Sequence, residues 1–540
     1  MKTGRLEMKR VVAFAAVAVA ALLQTEAARI GIVTDTHVGA HGQVSLDRLE
    51  RCYRLFKEKQ VDYIFNLGDI ADAHSNVWYR QYAEVRAKVF PDGAPPEKFV
   101  FATHDRMKFD GAPGGREYVA AFEAMKPVLG VTHDRYHRFE IEGFTFLVYP
   151  QARDNGRVKR EVDAECAAHP GRPLFVLDHV PPPGTVEGSD YAARHNLLKL
   201  YAPHPEVVLL TGHVHGSLAH EGKIWQGAFT ALNFGTLKNN PVLDGDYYAA
   251  VMDLDKERAV IRRYAIATGA EVRPEQPWTL KFPYDPKTPA YSPAARAAQT
   301  PKPAFAPGAE LTVRGVGEPL TAVEVAFPAA PSADIAEYRV EIAAKGKKGK
   351  WVVRSREKVV ADYARPPEKR RATFRERFSS GYFNAHETVR VTVSPVDFFG
   401  RVGTPLAAEL KVGETDKWKT AYSGVPKPAK PGAYTPFKGA RVWYTLKDSG
   451  FDQLPEGTKC RMVVEVSFAL PKDRLASFNL QTEKSGVYCY GYIYTPAGKS
   501  RLRYVREFTR PAERGEPFKL VLLRAGSGKV RFDDVRIEYQ

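Results

Sequence analysis

Five short apolar runs within the first 215 residues each end abruptly in histidine or aspartate, and few folds accommodate that pattern. Residues 30–33 lead into Asp35-Thr36-His37, 63–67 into Gly68-Asp69, and 99–102 into Thr103-His104-Asp105. Residues 174–177 lead into Asp178-His179, and 207–210 into Gly212-His213-Val214-His215. Between the runs lie stretches of helical period, so residues 28–282 read as an α/β layer fold. A helix is expected over 45–60, with Ser45 as N-cap and Leu46, Leu49, Tyr53 and Phe56 on one face. Ligands of open α/β sheets bind beyond the carboxyl ends of the strands, where all five loops can meet. Imidazole and carboxylate without thiolate suit one or two divalent ions such as Zn, Mn or Fe. His213 and His215, two apart, would diverge on a strand but can serve adjacent ions on a loop that Gly212 lets turn.

The order D-x-H, G-D, G-N-H-[DE], a lone H and G-H-x-H resembles the calcineurin-like metallophosphoesterase superfamily, from Ala28 to about Gly235. The resemblance implies a four-layer αββα sandwich and a metal-dependent phosphoric ester hydrolase, phosphatase or phosphodiesterase, acting by attack of a metal-bound hydroxide. It implies that Asp35, His37, Asp69 and His215 hold one ion, and that Asp69 bridges to a second held by His179 and His213. Two such ions about 3.5–4 Å apart polarise a phosphoryl group and acidify a bridging water. His104 would meet the leaving-group or phosphoryl oxygens, with Asp105 orienting its ring. One position departs from the pattern: Thr103 stands where the family has the asparagine whose amide oxygen ligates the second ion. That substitution points to an exchangeable second metal, or alternatively to a feeble or non-catalytic domain. His37 in the first block, and no tyrosine ligand in Gly68-Asp69-Ile70-Ala71-Asp72, disfavour the purple acid phosphatases.

Arg106 and Asn233, with His41 and His74, are further candidates for contacting substrate phosphate; loop hydrogen bonding is the bland alternative. Asn66 is read as a loop residue and a remote stand-in for the missing asparagine, and His133 and His137 as surface residues. Neither a Walker-type glycine loop nor a Gly-x-Ser-x-Gly elbow occurs.

The chain of 540 residues exceeds one core, and its charge separates it into parts. Of the net +16, residues 301–540 carry +15. Residues 1–27 read as an export signal: Lys2, Arg5, Lys9 and Arg10 precede the 13 apolar residues 11–23, too few to cross a hydrocarbon core of about 30 Å. A periplasmic or extracellular location is therefore expected, and no later segment suits a membrane span. Four cysteines exclude a disulfide framework; Cys460 and Cys489 are a candidate pair, and Cys52 and Cys166 read as buried thiols.

Seven prolines within 283–307 mark an expected linker over 283–308, and a second is expected over 413–436. Residues 309–412 read as an all-β sandwich, and their Val389–Gly400 stretch (VRVTVSPVDFFG) resembles a fibronectin type III domain. Residues 437–540, closing in Val530-Arg531-Phe532-Asp533-Asp534-Val535, resemble a jelly-roll carbohydrate-binding module. Two all-β sandwich domains thus follow the α/β domain. They imply attachment to an acidic glycan or cell-surface polymer, with Trp443, Tyr488, Tyr490 and Tyr492 as stacking platforms. A structural spacer with those rings in its core is the alternative, although Phe532, between Arg531 and Asp533, reads as core. The expected partner of the front domain is a phosphate-ester substrate, and nucleic acid is not expected. The rival functions are a nucleotide or cyclic-nucleotide phosphodiesterase, and a non-catalytic glycan- or surface-binding protein with a degenerate front domain.

Overall fold

The computed structural model describes residues 27–540, except 108–115, 193–196, 239–246, 317–321, 346–349, 366, 380–387, 412–418, 425–434, 438–440, 446–450, 452, 471–473, 483–485, 490–491, 496–497, 511–518 and 525–527. The expected export signal lies outside the described residues. The chain divides into two compact units, residues 1–300 and 301–540.

Strands of the front unit are β1 (Ala28–Val33), β2 (Tyr63–Asn66), β3 (Glu97–Phe99), β4 (His137–Ile141), β5 (Phe144–Val148), β6 (Leu174–Leu177) and β7 (Val207–Thr211). They continue as β8 (Ile224–Gln226), β9 (Thr230–Asn233), β10 (Tyr248–Leu254), β11 (Arg258–Ala265), β12 (Ala270–Val272) and β13 (Trp278–Lys281). One sheet runs β12-β11-β10-β1-β2-β3, with β13 on β11; the other runs β4-β5-β6-β7-β9-β8. Helices α1 (Gln43–Glu58), α2 (Asn76–Val89), α3 (Thr103–Arg106), α4 (Arg116–Leu129) and α5 (Asn155–Ala168) connect the strands.

Both faces of the central strands are buried, which is why they read as unbroken apolar runs. Ile30, Ile32, Phe65 and Leu67 meet Phe146, Val148, Phe175, Leu177 and Leu210 between the sheets. Their alternates Val33 and Ile64 pack outward on Leu49, Tyr53 and Phe56 of α1 and on Tyr79 and Tyr82 of α2. Behind the other sheet, Leu147, Val176 and Leu209 pack on Val158 and Val162 of α5. The result is four layers, α/β/β/α. Strands β1, β2 and β3 are parallel, as are β5, β6, β7 and β9, so their carboxyl ends gather at one edge of each sheet.

Three expectations are corrected in this unit. Helix α1 begins at Gln43, with Gly42 as its cap; Ser45 lies inside it, buried, its hydroxyl accepting from the His41 N–H at 3.2 Å. His133 is buried, stacked on His137 at 4.8 Å, so it is no surface residue. Residues 283–300, expected as linker, are held to the front unit. The Tyr291 N–H donates to Gln226 Oε1 at 3.1 Å, its ring packs on the inter-sheet core, and Arg296 of the helix Pro293–Gln299 reaches Glu221 at 2.6 Å.

The rear unit holds two pairs of sheets. The first pairs the order β14-β15-β18 with β17-β16-β19-β20, for β14 (Thr312–Val316), β15 (Ala322–Pro328), β16 (Ile335–Lys345), β17 (Trp351–Val360), β18 (Thr373–Ser379), β19 (Thr388–Asp397) and β20 (Leu406–Lys411). Val323, Val325, Phe327, Tyr338, Val340, Val391 and Val393 fill the space between. The second pair has five strands in each sheet. Lys419–Ser423, inside the expected second linker, is one of them, pairing with Gly528–Tyr539. In Gly528–Tyr539 the inward positions pass from Val530 and Phe532 to Val535 and Ile537, because a bulge opposite Glu465/Val466 absorbs one extra residue. Phe532 is core, as its alternation implies. Cys460, Cys52 and Cys166 are buried free thiols. With Cys460 a free thiol the suggested pairing is not formed, and the Cys489 side chain lies outside the described residues. The side chains of Trp443, Tyr488, Tyr490 and Tyr492 lie outside the described residues.

Candidate metal centre

At the edge where the parallel strands end, the backbone turns sharply, and the chemistry-bearing residues make the turn. Asp35, His37, Asp69 and His213 all have positive φ, at 50°, 41°, 51° and 68°. Such left-handed conformations are costly for residues with a Cβ and persist where the surroundings impose them. Two glycines make room. A Cβ on Gly68 would stand 2.7 Å from the Ala102 methyl and 2.9 Å from His179 Nδ1; one on Gly212 would collide with Thr34 and Asp35. The loops are then cross-braced by backbone: the Asp35 N–H donates to Gly68 O at 2.9 Å, and that of His37 to Asp69 O at 3.0 Å.

Three overlapping donor groups result, each with its ligand atoms within 4.8 Å of one another: Asp35 with His37 and His215, His37 with Asp69 and His104, and Asp69 with His179 and His213. His215 Nε2 is 2.8 Å from Asp35 Oδ1 and 3.2 Å from His37 Nε2; His179 Nε2 is 3.1 Å from Asp69 Oδ2. The imidazoles are aimed from behind. His37 Nδ1 donates to Asp72 Oδ1 at 3.0 Å, His179 Nδ1 to Leu67 O at 2.8 Å, and His104 Nδ1 to Asp72 O at 2.7 Å. A ring whose Nδ1 carries the proton presents the Nε2 lone pair, the arrangement a metal-binding histidine needs.

The electrostatics agree with a cation site. Burial opposes charge on both Asp69 and His179, yet their pairing holds the Asp69 carboxyl down to about 2 and raises His179 to about 10. Asp35, also buried, is held well below the usual carboxylate range by His215 and His179. Burial and then the charge of His179 lower His213 to about 4, leaving it neutral, as a ligand must be. Two buried carboxylates among five imidazoles form a donor set that fits divalent cations.

Three expected roles change. Asp105 does not orient His104. Fully buried, it accepts from the N–H groups of Ile70 and Ala71 at 2.9 and 3.3 Å and of Ala102 at 3.0 Å, tying the Asp69 loop to the His104 loop. Asn233 is no substrate contact: its amide donates to Gly212 O at 2.5 Å and accepts from the Gly235 N–H at 3.2 Å, fixing the His213 loop. Asn66 turns away to Tyr82 at 2.9 Å and the Gly68 N–H at 3.1 Å, so it does not stand in for the missing amide. His74 is engaged with Asp105 O at 2.9 Å, and His41 is exposed. Thr103 heads helix α3, with its N–H on Gln151 Oε1 at 2.7 Å; Arg106 is half-buried on the same helix.

Residues 28–217 match the model of the calcineurin-like phosphoesterase family. The front unit carries a calcineurin-like phosphoesterase domain. No curated protein matches the chain. Among solved structures, it is similar to a dimetal phosphatase from Danio rerio, at 12% identity and TM-score 0.35, covering 48% of this chain and 99% of that one. It is also similar to a purple acid phosphatase from yellow lupin (Lupinus luteus) seeds, at 16% identity and TM-score 0.35, covering 48% and 54%. Within the phosphoesterase domain two residues escaped sequence reasoning. Asp72 links His37 to His104, and Lys238 Nζ, from the segment after β9, reaches Asp72 Oδ1 at 2.8 Å. Asp72 lies three residues past Asp69, a visible position, but nothing in the sequence shows which way it points.

Proposed function

We propose that the protein is an exported phosphoesterase hydrolysing a phosphomonoester or phosphodiester, with its rear β-modules attaching it to a glycan or surface. The carrying observation is the convergence of Asp35, His37, Asp69, His179, His213 and His215 into overlapping donor groups. Asp35, His37, Asp69 and His215 would hold one divalent cation, and Asp69, His179 and His213 a second. When bound, such ions supply positive charge for the phosphoryl oxygens and an acidified water. The chain's own residues do the rest. Asp69 stays ionised between the two positions, and its Oδ1 is fixed by the His104 N–H at 2.9 Å. His104, part-exposed with Nδ1 spent on Asp72 O, is placed to hold or deliver a proton through Nε2 at the leaving-group oxygen. Arg106, two residues on in the same short helix, is the candidate phosphate contact.

The test is turnover of p-nitrophenyl phosphate and bis-p-nitrophenyl phosphate by purified protein before and after chelation. Hydrolysis that a chelator abolishes and added Mn or Zn restores supports the reading, and the preferred ester separates phosphatase from diesterase. No turnover with any added metal favours the non-catalytic reading that Thr103 suggests.

For the rear unit, the strand orders β14-β15-β18 and β17-β16-β19-β20 support a fibronectin type III-like sandwich, and the five-on-five pair supports a jelly roll. The +15 charge of residues 301–540 supports an acidic glycan as partner. Export rests on residues 1–27. Among the described residues no helix is long and apolar enough to cross a membrane.

A further inference from the structure

We propose that Cys166, His204 and Glu206 form a separate zinc-type site on the outer side of the β4–β9 sheet, clasping α5 to the start of β7. Their thiol, imidazole and carboxylate ligand atoms lie within 4.8 Å of one another, and none belongs to the centre described above. A thiolate, an imidazole and a carboxylate with a fourth position for water is a zinc donor set, unlike the oxygen and nitrogen ligands around Asp69.

Three further observations support it. His204 Nε2 is held by Asp163 Oδ1 at 2.8 Å, the carboxylate–imidazole pairing that fixes the ring of a metal-binding histidine. Glu206 accepts from the Gly171 N–H at 3.1 Å and has no cationic partner among the described residues. The nearby cations are spent elsewhere: Lys159 on Asp163, Arg138 and Arg172 on Glu165. A cation at the three ligand atoms would supply Glu206 with a counter-charge and displace the thiol proton. Cys166 is buried while His204 and Glu206 are part-exposed, which gives an ion a way in.

The experiment loads metal-free full-length protein with Co(II) and records the near-ultraviolet spectrum, with zinc equivalents measured in parallel. The wild type is expected to show a thiolate-to-cobalt charge-transfer band, which ligands around Asp69 cannot produce because none is a thiolate. Cys166→Ser should abolish the band and remove one zinc equivalent per chain, and His204→Ala should weaken zinc retention. Absence of the band in wild type overturns the proposal without reference to any variant. Its persistence in Cys166→Ser does so too, by assigning it to another thiol. Hydrolase activity plays no part in the readout, so this site and the phosphoesterase reading stand or fall separately.

Discussion

At the scale of single residues, the centre divides into side chains placed to hold cations and side chains that aim them. Asp69→Asn removes a buried negative charge shared by two donor groups, so metal content should fall and turnover with it. His104→Ala touches only one group's edge; it should leave metal bound while kcat falls about 10²- to 10⁴-fold. Metal analysis beside steady-state rates checks the pair. Asp72→Asn keeps the side chain's shape but weakens its hold on His37 Nδ1 and Lys238, so metal affinity or activity should drop about 10- to 100-fold, read by metal titration. The donors Asp35, His37, Asp69, His179, His213 and His215 were legible in the sequence because each interrupts an apolar run at its end. Asp72, Asp105 and Asn233 show what was not. Whether a loop carboxylate or amide faces a metal, a backbone N–H or another side chain depends on how separate loops meet, and no local pattern encodes that.

At the scale of elements, the strand ends work because two glycines let loops touch. Gly212→Ala would drive a methyl into Thr34 and Asp35, displacing His213, whose N–H donates to Asp35 Oδ2 at 2.9 Å. A shift of about 1 Å at such a point can cost about 10²-fold in rate, so turnover should fall at least that far in a variant that still melts cooperatively. Away from the centre, Glu221 joins β11, β13 and the helix Pro293–Gln299. It pairs with Arg263 at 2.7 Å and Arg296 at 2.6 Å, and accepts from Trp278 Nε1 at 3.0 Å. Burial opposes its charge, but Arg263, Arg296 and Arg273 hold its carboxyl down to about 2. A depressed carboxylate stabilises the fold above its ordinary pKa, and that contribution fades as pH falls toward about 2. Glu221→Gln strands a buried Arg263, at a cost of about 3 kcal/mol or more near neutrality. The melting-temperature gap between wild type and variant should therefore be widest near pH 7 and narrow on acidification. The proline count hid this tie, because composition marked 283–308 as linker while Tyr291 and Arg296 have long-range partners. The strands Arg474–Thr482 and Gly498–Thr509 were also missed: the first offers only the brief alternation Ala476, Phe478, Leu480 among polar residues, and in the second charged residues such as Arg506 interrupt the apolar positions.

At the scale of the whole molecule, an α/β unit carries the site and a basic β-rich unit follows it in sequence, attachment being its proposed role. That division was legible in charge and punctuation, since periodicity and net charge both change near residue 300. On the proposed reading the front unit gathers its aspartates and histidines around paired cations. Crystals of the full chain grown with Mn(II) and measured at the manganese edge test it directly. Two anomalous peaks should flank Asp69, one beside Asp35, His37 and His215, the other beside His179 and His213. A map without density at either position, in crystals grown with excess Mn(II), would contradict it.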